Sequence, residues 1–260
     1  MVSPAVLTAH DVGVTFNEGT PQAVIAFRNV SFELAASETL AIVGPSGCGK
    51  STLFNVIAGL QEPTAGAVFV NGEKVEGARG HVGYMLQKDL LLPWRSVLDN
   101  VVLGLEVRGM PQSEAREKAF ALIKTYGLAG FENSLPKELS GGMRQRVAFM
   151  RTLALDPQVI LLDEPFSALD FQTRLVIEED VMRIIAERGK SAILVTHDIG
   201  EAITMADRVV VLTHRPGTIR AIHKIDFPAE KRNPVTIRRE PRFQEYFEII
   251  WQELEVSKAL

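Results

Sequence analysis

The sequence predicts an α/β fold in which a mainly parallel, doubly wound sheet is joined to an antiparallel β subdomain and an inserted α-helical subdomain. Three observations carry that prediction. Short apolar, β-branched runs ("TLAIVG", "QVILLDEP", "SAILVTHD") alternate with amphipathic stretches, the pattern of buried parallel strands separated by helices. The first forty residues instead alternate apolar and polar positions ("VIAFRNVSFEL"), which marks half-buried strands at period two. From about residue 90 to about residue 155 the periodicity turns helical throughout.

Taken in order, the early strands lead into "TLAIVG", then a glycine-rich loop, then "STLFNVIAGL", whose apolar residues recur at helical spacing until Gly59 stops them. "PTAGAVFVNGEKV" reads as a hairpin, because Asn71-Gly72 suits a tight turn between β-prone runs. The helical insert contains "SVLDNVVLGLEVRG", "SEAREKAFALIKTYG" and "SGGMRQRVAFMRTLAL". Beyond it, the helix "TRLVIEEDVMRIIAERG" separates two buried strands. The tail is charged and then amphipathic ("PRFQEYFEIIWQEL"), which suggests one more helix packed on the outside. We therefore expect a main unit over residues 1–228 and a helical extension over 229–260.

Composition narrows the function. The 260 residues suffice for a substantial core, and 23% charged with 46% hydrophobic residues is ordinary for a globular protein. A net charge of -4 argues against a protein that lives on nucleic acid, whose footprint is usually basic. The single cysteine, Cys48, cannot form an internal disulfide. The start "MVSPAVLTAHDVGV" lacks the pattern of a secretory leader, and no apolar run reaches the ~18 residues of a membrane span. Cytoplasm is the expected location, and any membrane role is expected to act through a partner.

The strongest chemical signal is "GPSGCGKST". Gly44, Gly49, Lys50 and Ser51 match G-x-x-x-x-G-K-[ST] between a strand and a helix, which makes the core that of a P-loop NTPase. The glycines let backbone N–H groups curl around phosphate and the helix N-terminus adds partial positive charge; Lys50 meets the outer phosphates and Ser51 reaches Mg²⁺. Pro45, Ser46, Gly47, Cys48 and Thr52 complete the loop, with Cys48 read as a small filler. In "VILLDEP", Asp163 ends an apolar strand with Glu164 beside it. Two acids after a strand often form only a turn, but beside a P-loop Asp163 can hold the metal, directly or by a water, and Glu164 can polarise the attacking water as general base. "LSGGMRQR" holds a second helix start, with Ser140, Gly141 and Gly142 suited either to an anion or to a simple N-cap.

Four motifs in this order, "GPSGCGKST", "LSGGMRQR", "VILLDEPFSALD" and "LVTHD", resemble the ATP-binding cassette ATPases from about Val6 to Thr213. The resemblance implies ATP and Mg²⁺ as cofactors and two copies joined head to tail, so that Ser140, Gly141 and Gly142 of one copy face the γ-phosphate held by the other. Met143 stands where glutamine is more usual, but a grip by backbone does not depend on that side chain. The resemblance also assigns Gln87 ("MLQKDLLLPW") to the metal and attacking water, Asp170 ("SALD") to the dimer interface, and His197 ("THD") to the γ-phosphate. Phe16 is the candidate to stack on adenine, with a core phenylalanine as its other reading. His10, His81, His214 and His223 fall outside these motifs and read as surface or core residues.

"LLPWRSVLDNV" and the short chain beyond the cassette resemble the nitrate, sulfonate and taurine importer group. That implies an ATP-hydrolysing subunit on the inner face of the cell membrane, bound to an integral membrane permease and served indirectly by a substrate-binding protein. No nucleic-acid partner is expected. Leu90, Leu91, Leu92 and Trp94 are candidates for the permease groove, or else core. Two other readings are weighed. A cassette that remodels protein or nucleic-acid complexes usually carries paired cassettes or long coiled coils, and a P-loop kinase leaves "LSGGMRQR" without a purpose.

Overall fold

A computed structural model describes residues 4–78, 80–227 and 232–256. The expected boundary at residues 228 and 229 lies outside the described residues. Strands β1 (Ala5–Phe16) and β2 (Val24–Ala35) pair antiparallel, and β4 (Ala65–Val70) and β5 (Glu73–Lys74) extend them into a four-stranded sheet of order β2-β1-β4-β5. The Asn71-Gly72 turn joins β4 to β5 with both residues at positive φ, 53° and 79°, as a type I′ hairpin requires. This is the antiparallel subdomain that the period-two pattern predicts.

The second sheet has the order β10-β9-β3-β8-β7-β6, formed by β3 (Thr39–Val43), β6 (Gly83–Met85), β7 (Val159–Asp163), β8 (Ser191–Val195), β9 (Arg208–Leu212) and β10 (Ile219–Lys224). Its neighbours run parallel from β9 to β6, and β10 turns back antiparallel along one edge. Every residue of β3, β7 and β8 is buried, which explains why these strands read as continuous apolar runs without alternation. One face of the sheet packs on the antiparallel subdomain and α1 (Lys50–Ile57), through Leu40, Ile42, Phe54, Ile193 and Val195. The other packs on the remaining helices through Ala41, Val43, Leu162 and Leu194.

Three helices make up the insert: α2 (Val97–Val107), α3 (Gln112–Thr125) and α4 (Gly141–Leu153). Ser96 caps α2 by accepting a hydrogen bond from the Asp99 N–H at 3.1 Å, and the buried Asn100 ties that cap to the preceding loop through the carbonyls of Leu92, Arg95 and Ser96. Helix α5 (Phe171–Glu187) lies between β7 and β8, and α6 (Ile199–Met205) follows β8. Helix α7 (Pro241–Val256) packs on α6 and β9, and its Glu253 lies 2.8 Å from the His223 Nε2 of β10. His223 is therefore a structural tie between the edge strand and the final helix.

Helix α1 ends at Gly59, as its sequence predicts. Gly59 has φ 71°, and a Cβ there would sit 2.1 Å from the Gly77 carbonyl oxygen. Both the left-handed conformation and the close approach demand glycine. Gly59→Ala is expected to destabilise the chain by ~2 kcal/mol or more, read as a lower urea midpoint with the slope unchanged; an unshifted midpoint contradicts this account.

Candidate functional site

Strand order alone assembles the site. β3 leads into the phosphate loop, β6 leads to Gln87, β7 ends at Asp163 with Glu164 next, and β8 leads to His197. These strands are parallel and adjacent or nearly so, so all four deliveries arrive at one carboxyl edge.

The loop from Gly44 to Thr52 wraps the N-terminus of α1. Gly47 and Gly49 take φ 78° and 102°, and no side chain caps the helix, so its first N–H groups face the cleft. Gly44 is small for another reason: a Cβ there would meet Cys48 Sγ at 2.8 Å and Leu212 Cβ at 3.0 Å. Cys48 is buried under the loop as the filler its position suggests, and burial pushes its thiol above its ordinary pKa. The buried Lys50 ammonium donates to the carbonyls of Gly44 and Pro45 at 2.7 and 3.0 Å. A cleft of about 350 Å³ runs along this loop, lined by Ser46, Gly47, Gly49, Lys50, Ser51 and Thr52 and, across from them, Phe16, Glu164 and Arg215. Phe16 is 42% exposed there, which sets aside its core reading.

Glu164 is the meeting point of the distant strands. Its Oε2 accepts from Gln87 Nε2 at 2.9 Å and lies 3.3 Å from His197 Nδ1. Its backbone is held at φ 44°, a left-handed conformation uncommon for glutamate, with its N–H on the Val195 carbonyl at 2.8 Å. That bond crosses from the end of β7 to the end of β8 and aims the carboxylate at the cleft. Asp163 sits deeper. Tyr84 Oη donates to its Oδ2 at 3.3 Å, and burial above all holds its carboxyl higher than the ordinary carboxylate range, with Tyr84 and the nearby Ser51 hydroxyl opposing the rise. The same neighbourhood raises the Tyr84 phenol, through burial first and the Asp163 charge second. Tyr84 and Arg215 belong to the site, yet neither sits in a recognisable motif. Tyr84 reaches Asp163 only because β6 and β7 pair, with Tyr84 opposite Leu161.

Ser51 hydroxyl, Asp163 carboxylate and Gln87 amide oxygen form a set of hard oxygen donors, few in number. Such a set suits Mg²⁺, which keeps several waters and shares phosphate oxygens. The residues fit that ion.

Ser140, Gly141 and Gly142 do not line this cleft. Ser140 caps α4, accepting from the Met143 N–H at 3.3 Å, and a Cβ on Gly142 would meet Thr173 Cγ2 at 2.7 Å, so Gly142 also serves the packing of α4 on α5. Ser140 and Gly142 border a separate open depression with Met143, Gln172 and Thr173. Asp170 is likewise outside the cleft; it caps α5 by accepting from the Thr173 N–H at 3.0 Å, and that backbone bond holds its carboxyl below the ordinary range. Within one chain, then, the phosphate loop gathers Gln87, Asp163, Glu164 and His197, while the second helix start faces elsewhere.

The family model for ABC transporters matches residues 27–167. A Bacillus subtilis protein described as an uncharacterized ABC transporter ATP-binding protein is 47% identical over 229 residues, covering 88% of each chain. The chain belongs to the ABC transporter family. The taurine import ATP-binding protein of Burkholderia thailandensis is 40% identical over 244 residues, covering 93% of this chain and 94% of its own. The nitrate import ATP-binding protein of a Synechocystis strain is 41% identical over 232 residues, covering 88% and 87%. Among solved structures, the dimeric ATP-binding cassette MJ0796 in a post-hydrolysis state with ADP and Pi superposes with a TM-score of 0.74 at 32% identity, covering 85% of this chain and all of that one. As an ABC cassette the chain binds and hydrolyses ATP.

Burial of Asp163 makes a sign-definite prediction. Its folded carboxyl is harder to ionise than the ordinary value of 3.8, so it subtracts stability as pH rises through and above that value. Asp163→Asn is expected to melt higher than the parent in the absence of nucleotide, by a margin that opens as pH rises above about 4, and to hydrolyse Mg-ATP at least ~10²-fold more slowly. Equal melting temperatures at all pH values contradict it.

Proposed function

We propose that this ABC cassette is the ATP-hydrolysing subunit of an importer, that two copies close head to tail on ATP, and that the cargo is a small anion or sulfonate. The observation that carries the reading is the division of the site. One carboxylate, Glu164, is held by Gln87 and His197 beside the phosphate loop, while Ser140 and Gly142 border a separate depression away from that cleft; in this reading they meet a triphosphate held by a second copy. The dimeric form of the MJ0796 cassette supports the same arrangement.

In this reading Glu164 accepts a proton from the attacking water, Gln87 holds that water's orientation, and His197 contacts the γ-phosphate. Phe16 stacks on the base, and the N–H groups of Gly47 through Thr52 grip the phosphates. Mg²⁺, when bound by Ser51, Asp163 and Gln87, supplies neutralising charge to the outer phosphates. Ser140, Gly141 and Gly142 of the second copy close the phosphate from the far side, with Asp170 at that interface.

None of the described helices is long and apolar enough to cross a membrane, so in this proposal coupling runs through a permease on whose cytoplasmic side the cassette sits. The loop after Gln87 supports a docking surface in part. Trp94 is 73% exposed and Leu90 52%, whereas Leu91, at 8%, belongs to the core and Leu92 is half-buried. The taurine and nitrate import relatives support the cargo class and, with it, a substrate-binding protein outside the cell.

Glu164→Gln is expected to cut turnover by ~10² to ~10⁴ and to hold an ATP-bound dimer that light scattering detects; a variant that stays monomeric at saturating ATP would falsify the shared site. Leu90→Asp with Trp94→Ala is expected to release the chain from membranes that contain its permease while ATP hydrolysis by the free cassette persists, and retention on those membranes speaks against the docking surface.

A further inference from the structure

Behind His197 lies a buried polar cluster that the hydrolytic chemistry does not use. It contains three acids, Glu178 on α5 and Asp198 and Glu201 at the start of α6, and two guanidinium groups, Arg174 on α5 and Arg238. Arg238 comes from far along the chain, in a short 3₁₀ turn (Ile237–Arg239) that leads into α7. The cluster holds the two residues that flank His197. Asp198 Oδ1 accepts from the Glu201 N–H at 3.1 Å and its Oδ2 from Arg174 Nη1 at 3.1 Å. Thr196 Oγ1 donates to Glu201 Oε2 and accepts from the Asp198 N–H at 3.0 Å.

Arg238 closes this cluster from above. Its Nη2 lies 3.5 Å from Glu178 Oε2, and Glu178 is fully buried. Its Nη1 lies so near Gly200 that a Cβ there would approach it to 3.3 Å and Asp198 Oδ1 to 3.1 Å. Its guanidinium also lies over the Phe171 ring, with Cζ 5.9 Å from the centroid. Glu178 Oε1 and Glu201 Oε1 are buried without a hydrogen-bond partner among the described residues, so each acid is held through its other oxygen alone, Glu201 by Thr196 and Glu178 by the charge of Arg238. Removing Arg238 leaves three acids facing one arginine beside the loop that carries His197.

We propose that Arg238 is a positioning residue for ATP hydrolysis: it neutralises Glu178, which fixes Asp198 and the start of α6, which in turn fixes His197 against Glu164. The proposal rests on the reading of His197 as a γ-phosphate contact. It gives the stretch after the cassette a task within the reaction, carried out without touching nucleotide. Burial raises the carboxyls of both Glu178, to about 7, and Glu201, with Arg238 opposing the rise at Glu178. Loss of Arg238 therefore harms the loop most where Glu178 is ionised, on the alkaline side.

The test compares ATP hydrolysis by the purified full chain with that of Arg238→Met, Arg238→Lys, His197→Ala and the double variant Arg238→Met/Glu178→Gln, with a melting temperature for each. Arg238→Met is expected to lower kcat about tenfold, with KM for ATP little changed and the deficit deepening as pH rises above about 7, since loss of Arg238 moves the Glu178 carboxyl higher still. Arg238→Lys is expected to keep most of the activity, and Glu178→Gln to restore kcat in the double variant. If His197→Ala is impaired while Arg238→Met keeps its kcat, loses only what unfolding explains, or is not rescued by Glu178→Gln, the positioning role is overturned. Full hydrolysis by His197→Ala overturns the reading of the site on which it rests.

Discussion

Four parallel strands, β3, β8, β7 and β6, support everything the cassette does. Three of them are five residues long and buried at every position, so they satisfy their backbone groups on one another and hide both faces under packed layers. A slip of register by one residue would send the phosphate loop, the Glu164 carboxylate or His197 into the wrong layer. The ladder prevents this by pairing Leu162 with Leu194 and Ile42 with Val195. Rigid strands thus deliver polar residues only where they end. That is why loops which need positive φ at Gly47, Gly49 and Glu164 can hold a defined geometry without secondary structure of their own.

Much of this was legible before any coordinates. Motifs whose chemistry is local, such as the glycine loop, the acid pair after β7 and the Asn71-Gly72 turn, announce themselves because the responsible residues are contiguous. The hairpin, the helical insert and the buried strands follow from periodicity in the same way. Legibility ends where contact depends on pairing between distant segments. Tyr84 and Asp163 are brought together across 79 positions by the β6–β7 register, and Arg215 reaches the cleft only because its loop follows β9. The run from Leu90 to Leu92 shows the limit in miniature. Three identical side chains divide into exposed, buried and half-buried, and Leu90 does so with φ 44°, a backbone turn that no hydrophobic pattern encodes.

Ser140 and Asp170 carry a different lesson. Each caps a helix within its own chain, and each capping bond fully explains the residue as far as one chain is concerned. The two roles do not compete. A capped helix start holds its remaining N–H groups in a fixed fan, and such a fan is what a phosphate on another molecule needs. A serine free to rotate would leave that surface less ordered. The local structural duty is therefore a precondition of the proposed intermolecular one, and it explains how a cassette can be fully folded as a single chain while its second phosphate grip has nothing in that chain to hold.

The cluster behind His197 extends the same logic inward. Burying two acids, Glu178 and Glu201, beside the half-buried Asp198 and two arginines is not a route to stability, since the buried charges give up their hydration and the pairing only partly compensates. An apolar replacement of similar volume would pack at least as well. What the charges provide is direction: a carboxylate at Asp198 that must cap α6, and an arginine at 174 that must meet it, leave the intervening loop one arrangement rather than several. Because one of the five charged groups arrives from beyond β10, the final segment of the chain cannot move without disturbing the balance. Under the proposal, the turn that leads into a helix which looks, from sequence, like an appendage packed on the outside is thereby coupled to His197.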